Sequence, residues 1–261
     1  GLNYSRVDHQ TGLAPYFRET LRQELSKLFS QKNDEGEFVI SKSDGSKYDI
    51  YSDGLKIYTS LNSKMQEYAE KAVKTHFKNY LQPLFTRNNK KWKNPPFSDD
   101  ISKAQIDTII NRSVRQSMIY KKLVGKACSY CERPKRYIKK SNNGFECSYC
   151  GTLSSFKTKT QIREILNKKR KVKVFDWNAK NFEKDTFFSS IDSVRYYKGL
   201  LRTGLMSIDP HNGHIKAWVG GPDFRHFKYD MVNKGKRQVG STFKPFVYAT
   251  AIESGVIDPC Y

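Results

Sequence analysis

Two identical cysteine pairs are the feature that most limits how this chain can fold. The tetrapeptide CSYC occurs at Cys128–Cys131 and again at Cys147–Cys150, with fifteen residues between the pairs. This spacing is typical of zinc sites, in which two knuckles supply four thiolates to a closed tetrahedral site. So short a segment cannot bury a core of its own and needs a staple. We therefore expect a small zinc-ribbon-like unit over residues 125–156, with a structural Zn²⁺ bound by Cys128, Cys131, Cys147 and Cys150.

Disulfide bonds are the alternative to zinc in this unit. Two bridges, within or between the pairs, would also staple it if the protein works in an oxidising compartment. The fifth cysteine, Cys260, lies far along the chain from both pairs. Its isolation predicts an ordinary buried thiol rather than a reactive one.

The composition indicates folded modules with a strongly basic surface. Hydrophobic residues make up 37% of the 261 residues and aromatic residues 13%, a share that argues against disorder. The net charge of +21 favours anionic partners, which could be nucleic acid, lipid headgroups or an anionic polymer. No apolar run approaches the ~20 residues needed to cross a bilayer, and the chain begins with Gly rather than Met, which suggests a soluble protein or a piece of a longer one.

Hydrophobic periodicity predicts a mixed α+β chain. The predicted helices cover residues 14–29, 63–81, 101–123, 160–171 and 190–201, and the predicted strands cover residues 53–61 and 172–177. Farther on, two apolar runs flank the turn DPHNG and predict a β-hairpin with strands at Leu205–Asp209 and His214–Val219. Asp209 and Asn212 are expected to serve this turn, and Trp218 is expected to pack in the hairpin.

The stretch RQVGSTFKPFVY places Ser241 and Lys244 three residues apart at the predicted start of a helix. On a helix this spacing brings a lysine amine to the serine hydroxyl, and a serine needs a neighbouring base to become a nucleophile. The helix N-terminus and its free N–H groups would favour a developing oxyanion. Spacing alone is weak evidence, because S-x-x-K arises by chance in lysine-rich chains and a serine at this position is more often a helix cap.

The wider string carries a resemblance that spacing does not. It runs GLMSIDPHNGHIKAWVGGPDF and then VNKGKRQVGSTFKPFVYATAIESG, and it resembles the transpeptidase module of class A penicillin-binding proteins. The matching positions are Ile208, Asp209, Pro210, Gly213, Ile215, Ala217, Val219, Gly220, Gly221, Arg237, Gln238, Gly240, Ser241, Phe243, Lys244 and Pro245. The upstream strings GLAPYFRETLRQEL and SDGLKIYTSLNSKMQEYAEKAV resemble the segment that joins the glycosyltransferase and transpeptidase domains in that family, in a variety similar to that of Bacteroidetes-like bacteria.

The resemblance implies a D,D-transpeptidase of peptidoglycan synthesis. Ser241 would attack the penultimate D-Ala of a stem peptide, release the last D-Ala and form an acyl-enzyme, with Lys244 taking or relaying the serine proton. An amine of a neighbouring stem would complete the crosslink, and β-lactams would acylate the same serine. The implied partners are stem peptides and glycan strands. The implied location is the periplasmic side of the inner membrane, with the membrane anchor in a longer parent protein.

The family pattern is incomplete in this sequence. An S-x-N and a K-[ST]-G motif are expected after the nucleophile, yet residues 242–261 contain neither, and SNN at Ser141–Asn143 and RTG at Arg202–Gly204 lie upstream. The glutamate motif of the glycosyltransferase is also missing. We therefore expect a segment of a bifunctional enzyme that cannot crosslink peptidoglycan alone. Its expected parts are a linker region over residues 1–124, the four-cysteine insertion over 125–156, a connection over 157–200 and the start of the transpeptidase domain over 201–261.

Two other classes of function fit parts of the sequence. A zinc ribbon with the basic strings ERPKRYIKK and NKKRKVKV could bind nucleic acid, which would leave the RQVGSTFKP string unexplained. Residues 1–200 could instead be a non-catalytic docking platform for envelope proteins. The enzyme interpretation accounts for more of the sequence, and we expect no nucleic-acid partner.

Overall fold

The computed structural model describes residues 12–260, which form two units of mixed α+β structure. The predicted fold class is confirmed. The first unit comprises the described residues up to Ala69 together with the chain from Thr203 onward, and the second runs from Glu70 to Arg202. No helix in the described part of the chain is long and apolar enough to span a membrane.

The first unit contains a first helix, the beginning of a second helix, a hairpin and the last helix of the described chain. Its elements are α1 (Pro15–Leu28), the beginning of α2 (Ser63–His76), the hairpin strands β6 (Leu205–Ile208) and β7 (Ile215–Val219), and α8 (Lys244–Glu253). The hairpin pairs Leu205 with Val219 in antiparallel register, as the sequence predicts.

Helix α1 packs its aromatic side chains against β7 and the loop that follows. The Tyr16 ring meets Phe224 edge-on at 4.9 Å between centroids, and Phe17 meets Trp218 at 6.0 Å. The Tyr16 hydroxyl donates to the carbonyl of Phe227 at 2.7 Å, so this buried ring keeps its polar end satisfied. These contacts make the core of the first unit.

Gln66 on α2 hydrogen bonds with the backbone of β7 from a fully buried position. Its Nε2 donates to the carbonyl of Trp218 at 2.9 Å, and the Trp218 N–H donates to its Oε1 at 2.7 Å. The side chain is 1% exposed. The Gln66 side chain therefore forms with this residue of β7 the two hydrogen bonds that a neighbouring strand would otherwise form.

Replacing Gln66 by methionine is expected to destabilise the first unit by about 2 kcal/mol, because the buried Trp218 N–H and C=O would both lose their partner. Hydrogen exchange of the peptides that cover β7 measures this loss. The exposed neighbour supplies the control variant, Glu67→Met. Equal exchange rates in the two variants would contradict the assignment.

The second unit contains the remaining elements. Its helices after α2 are α3 (Gln82–Asn89), α4 (Lys103–Gln116), α5 (Met118–Leu123), α6 (Lys159–Asn167) and α7 (Ser190–Lys198), and its strands are β1 (Ile138–Ser141), β2 (Gly144–Cys147), β3 (Leu153–Ser155), β4 (Arg170–Phe175) and β5 (Glu183–Phe188). Strands β1, β2 and β3 form one antiparallel sheet, and β4 pairs with β5 in another. The core between α4 and α6 contains Ile106, Ile110, Val114 and Leu166.

Several predicted element boundaries are wrong. Residues 53–61 form no strand in the described structure: residues 54–59 have no regular secondary structure, Gly54 has φ +63°, and Ser60 Oγ donates to the Ile215 carbonyl of β7 at 2.9 Å. The helix predicted over 101–123 is two helices, because Ser117 has an extended backbone and caps α5. Strand β5 was not predicted, since its sequence EKDTFF has four polar residues before two aromatic ones.

Candidate functional site

Ser241 lies in a tight turn directly before α8. Residues Gly240–Phe243 form a 3-10 turn, and the α-helix begins at Lys244 rather than at Ser241 as the sequence predicts. Gly240 has φ +52°, a left-handed conformation that glycine adopts without strain, so the chain can turn tightly into the helix at this residue. Pro245 lies in the first turn of α8, where its missing N–H leaves no helical bond unmade.

The turn places Ser241 and Lys244 on the same side of the chain. Positions three apart eclipse each other in a 3-10 turn, and the Lys244 N–H donates to the Ser241 carbonyl. Both side chains are exposed, and within residues 12–260 no hydrogen bond joins the serine hydroxyl to the lysine amine. The two groups are therefore neighbours with free access to solvent, without the burial that turns a lysine into a base.

Helix α8 has the composition of a core helix, although its side chains are exposed. In the helix, Phe246 is 65% exposed, Val247 54% and Tyr248 57%, and Phe243 directly before the helix is 52% exposed. Apolar residues on all faces are typical of a helix buried in a protein interior. The segment that carries Ser241 is therefore suited to an environment more enclosed than the one that residues 12–260 provide.

The chain between the hairpin and Ser241 is anchored by a buried carboxylate. Asp230 is 5% exposed, and its Oδ2 accepts from Trp218 Nε1 at 2.9 Å. Its Oδ1 accepts from the N–H of Val232 at 2.9 Å. A Cβ placed on Gly220 would lie 2.7 Å from Asp230 Cγ, so only glycine fits beside the carboxylate. These contacts position the loop that leads to the Ser241 turn.

The four paired cysteines come together in the second unit. Their Sγ atoms all lie within 4.8 Å of one another, and none forms a disulfide. Cys128 and Cys147 are buried, Cys131 is partly exposed and Cys150 is exposed. A hydrogen bond between the Thr152 hydroxyl and the Cys150 sulphur, 3.1 Å long, lowers the pKa of that thiol to about 6.

The remaining candidates take structural or surface positions. Cys260 is exposed, so the expected buried thiol is wrong; it follows α8, where the described residues provide no core. The carboxylate of Asp209 accepts from the N–H of His211 and from Asn212 Nδ2, which is the turn role expected of this pair. Trp218 packs in the hairpin, as expected.

Models of two penicillin-binding protein domains match adjoining parts of the chain. Residues 149–201 match the penicillin-binding protein middle domain, and residues 203–260 match the penicillin-binding protein transpeptidase domain. The Ser241 turn lies inside the second match. The chain therefore carries parts of two penicillin-binding protein domains, as its resemblance to the class A family implies.

Curated relatives cover nearly the whole length of this chain at low identity. Penicillin-binding protein 1A of Rickettsia bellii is 25% identical over 96% of this chain and 27% of its own length. The Escherichia coli protein of the same name is 21% identical over 93% and 26%, and that of Neisseria cinerea 23% over 98% and 28%. The chain therefore spans about a quarter of the length of these relatives.

A solved structure shows the same coverage with weaker similarity. Penicillin-binding protein 1A from Haemophilus influenzae is 19% identical over 95% of this chain and 32% of that one, with a TM-score of 0.40, too low to support the fold assignment. These comparisons offer no support for the nucleic-acid-binding or docking alternatives. The predicted four-part division of the chain stays a prediction, as do the catalytic and metal roles of the named residues.

Sequence reasoning missed the residues that hold the loop before Ser241 in place. Gln66, Asp230 and Tyr16 come from three distant parts of the sequence, and none belongs to a catalytic motif. The one available signal was the pair Gly220–Gly221, which marks a close approach to other atoms; Tyr16 and Asp230 supply those atoms. What the pair could not show was which residues approach it.

Proposed function

We propose that this chain is the part of a class A penicillin-binding protein that carries the nucleophile of its serine D,D-transpeptidase. The observation that carries the proposal is the position of Ser241, which lies in a glycine-entered turn at the start of an apolar helix, inside the transpeptidase match. Ser241 would attack the D-Ala carbonyl of a stem peptide while Lys244 accepts its proton. The acyl-serine formed as D-Ala leaves would then pass to the amine of a second stem.

The proposal also assigns a location and partners. The substrates would be peptidoglycan stem peptides on glycan strands, on the periplasmic side of the inner membrane, and β-lactams would inhibit by acylating Ser241. The membrane anchor and the glycosyltransferase would belong to the longer protein. The net charge of +21 suits a surface close to anionic lipid headgroups and glycans.

We further propose that residues 1–261 alone do not complete the site. Ser241 and Lys244 are both exposed, and helix α8 carries exposed apolar side chains on all faces. The S-x-N and K-[ST]-G motifs that family members use do not occur in residues 242–261. A base, an oxyanion site and a dry pocket would then have to come from residues that pack on α8.

Labelling with a fluorescent penicillin tests both parts of the proposal. The parent protein is expected to be labelled, and Ser241→Ala is expected to lower labelling at least 1000-fold because no other group forms the acyl bond. The matched control is Ser254→Ala, which removes an exposed serine at the other end of α8 and should leave labelling unchanged. The 261-residue chain is expected to remain unlabelled.

Each outcome bears on a different part of the proposal. Labelling of the parent that persists in Ser241→Ala would overturn the assignment of the nucleophile. Ser241-dependent labelling of the 261-residue chain would confirm the nucleophile and overturn the incomplete site. Lys244→Ala should slow acylation while penicillin binding before acylation persists, which separates a role in proton transfer from a role in binding.

A further inference from the structure

We propose that Cys128, Cys131, Cys147 and Cys150 bind one structural Zn²⁺ ion that holds residues 125–156 in their fold. The proposed ligands lie in the second unit, whereas Ser241 lies in the first. The sulphur geometry, the repeated knuckle and the small core favour a metal site, and the partial exposure of the site favours zinc over iron.

The sulphur–sulphur distances fit a tetrahedral metal site. Cys128 Sγ lies 3.5 Å from Cys150 Sγ, and Cys131 Sγ lies 3.7 Å from Cys147 Sγ. Four sulphurs at the usual Zn–S distance of about 2.3 Å form a tetrahedron with edges of about 3.8 Å. Two of the six sulphur–sulphur distances thus lie close to the separation that zinc requires, all four Sγ atoms lie within 4.8 Å of one another, and the two short pairs link one knuckle to the other.

The two knuckles repeat the same backbone structure nineteen residues apart. The Cys128 N–H donates to the Arg133 carbonyl at 2.9 Å, and the Cys147 N–H donates to the Thr152 carbonyl at 3.0 Å. The residue after each pair, Glu132 or Gly151, has positive φ, 58° or 70°. A left-handed conformation at a glutamate is unfavourable and persists where the surrounding structure requires it.

A backbone amide that faces one of the four sulphurs, and a contact between the two loops, add to the similarity with a metal knuckle. The Tyr130 N–H points to Cys128 Sγ at 3.4 Å, a hydrogen bond that stabilises a thiolate. Between the knuckles, the Arg133 guanidinium lies 3.5 Å from the centre of the Tyr149 ring. This cation–π contact joins the same two loops that the metal would join.

Residues 125–156 lack the apolar core that would hold them without a metal. All of these residues are described, and the hydrophobic ones that are buried among them are Ala127, Cys128 and Cys147. Two of the three are proposed ligands. Because a segment of this size cannot stabilise itself by such a small core, binding of the metal would supply the missing free energy.

Zinc suits the site better than iron, the other ion that four thiolates commonly bind. Cys150 is exposed and Cys131 is partly exposed, so a bound ion would meet water and dioxygen. Zn²⁺ has no redox chemistry and tolerates that exposure. With four protein ligands it would have no open position, so the site would be structural rather than catalytic.

Metal analysis of the 261-residue chain, purified in the presence of a reductant, tests the proposal. About one zinc per chain is expected, falling at least tenfold in Cys147→Ser, because four thiolates are needed to close the site. The matched control is Cys260→Ser, which removes the exposed cysteine outside the cluster and should keep the full zinc content. Zinc absent from the reduced chain, iron in its place, or unchanged zinc in Cys147→Ser would each overturn the proposal.

A titration with the unmodified chain covers the case in which Cys147→Ser does not fold. Zinc added to chelator-treated, reduced protein is expected to slow hydrogen exchange in residues 125–156 and to leave β6 and β7 unchanged. Co²⁺ in place of zinc is expected to give the absorption of a tetrahedral thiolate complex. Failure of both ions to alter exchange or absorption in the reduced chain would overturn the proposal. Disulfides joining Cys128 to Cys150 and Cys131 to Cys147 in chain purified without reductant would then show a disulfide staple instead.

Discussion

Replacing Asp230 by alanine is expected to lower the free energy of unfolding of the first unit by about 3 kcal/mol, because a buried carboxylate with several donors would be lost. Its Oδ1 accepts from the N–H groups of Val232 and Asn233 at 2.9 and 3.3 Å. Its Oδ2 accepts from Trp218 Nε1 at 2.9 Å and from Thr20 Oγ1 at 3.3 Å. Four donors would lose this acceptor, at a site that is 5% exposed.

Hydrogen exchange of the peptides covering β6 and β7 measures the effect of Asp230→Ala. Exchange that proceeds through unfolding of this unit should become about 160-fold faster, the factor that corresponds to 3 kcal/mol. Asp230→Asn keeps one acceptor oxygen and should give an intermediate rate. The control is Asp258→Ala, an exposed aspartate of the same unit, for which a change within about 0.5 kcal/mol is expected. Indistinguishable rates for Asp230→Ala and Asp258→Ala would contradict the anchoring role.

Replacing Gly144 by alanine is expected to destabilise the cysteine unit by about 3 kcal/mol, because the added methyl group has no space. Gly144 lies on β2 opposite Ser155 of β3. A Cβ at this position would collide with the Ser154 carbonyl oxygen and lie 2.8 Å from Ser154 C and 2.9 Å from Ser155 Cα. These are backbone atoms of the paired strand, so the collision can be relieved only by separating β2 from β3.

Exchange in the peptides covering β2 and β3 and the thermal stability of the second unit report on Gly144→Ala. Gly151→Asn is the matched control. Gly151 has φ +70° with no atom within 4 Å of an added Cβ, and asparagine tolerates that conformation. We expect the control to stay within about 0.5 kcal/mol of the unmodified chain. If Gly144→Ala is as stable as Gly151→Asn, the close approach of β3 to β2 is wrong.

Local patterns in the sequence predicted the elements whose stability depends on their own residues. Helix α1 and the β6–β7 hairpin are examples, since an apolar stripe and a Pro-Asn-Gly turn are encoded within a few residues. The segment at residues 53–61 shows the limit of this approach. Its alternating pattern suits a strand, yet a strand also needs a paired neighbour, and at Trp218 the backbone of β7 bonds to the Gln66 side chain instead.

The candidate sites also differ in how much of each could be predicted from the sequence. Cysteine spacing was enough to predict the cluster, because two short loops can be closed by one ion wherever the rest of the chain goes. The Ser241–Lys244 pair was found through the residues around it rather than its spacing, and Gly240 takes the left-handed conformation expected there. The start of α8 at Lys244 could not be read from the sequence, since 3-10 and α turns have similar local preferences.

By itself the sequence determined the resemblance to class A penicillin-binding proteins, the two cysteine pairs, the hairpin and the turn that carries Ser241, because each is encoded by residues close together along the chain. Only the tertiary structure decided that Asp230, Gln66 and Tyr16 fix the backbone around β7, and that the short sulphur pairs join Cys128 to Cys150 and Cys131 to Cys147. These contacts join residues far apart in sequence, and they depend on how buried polar groups find partners once the elements pack.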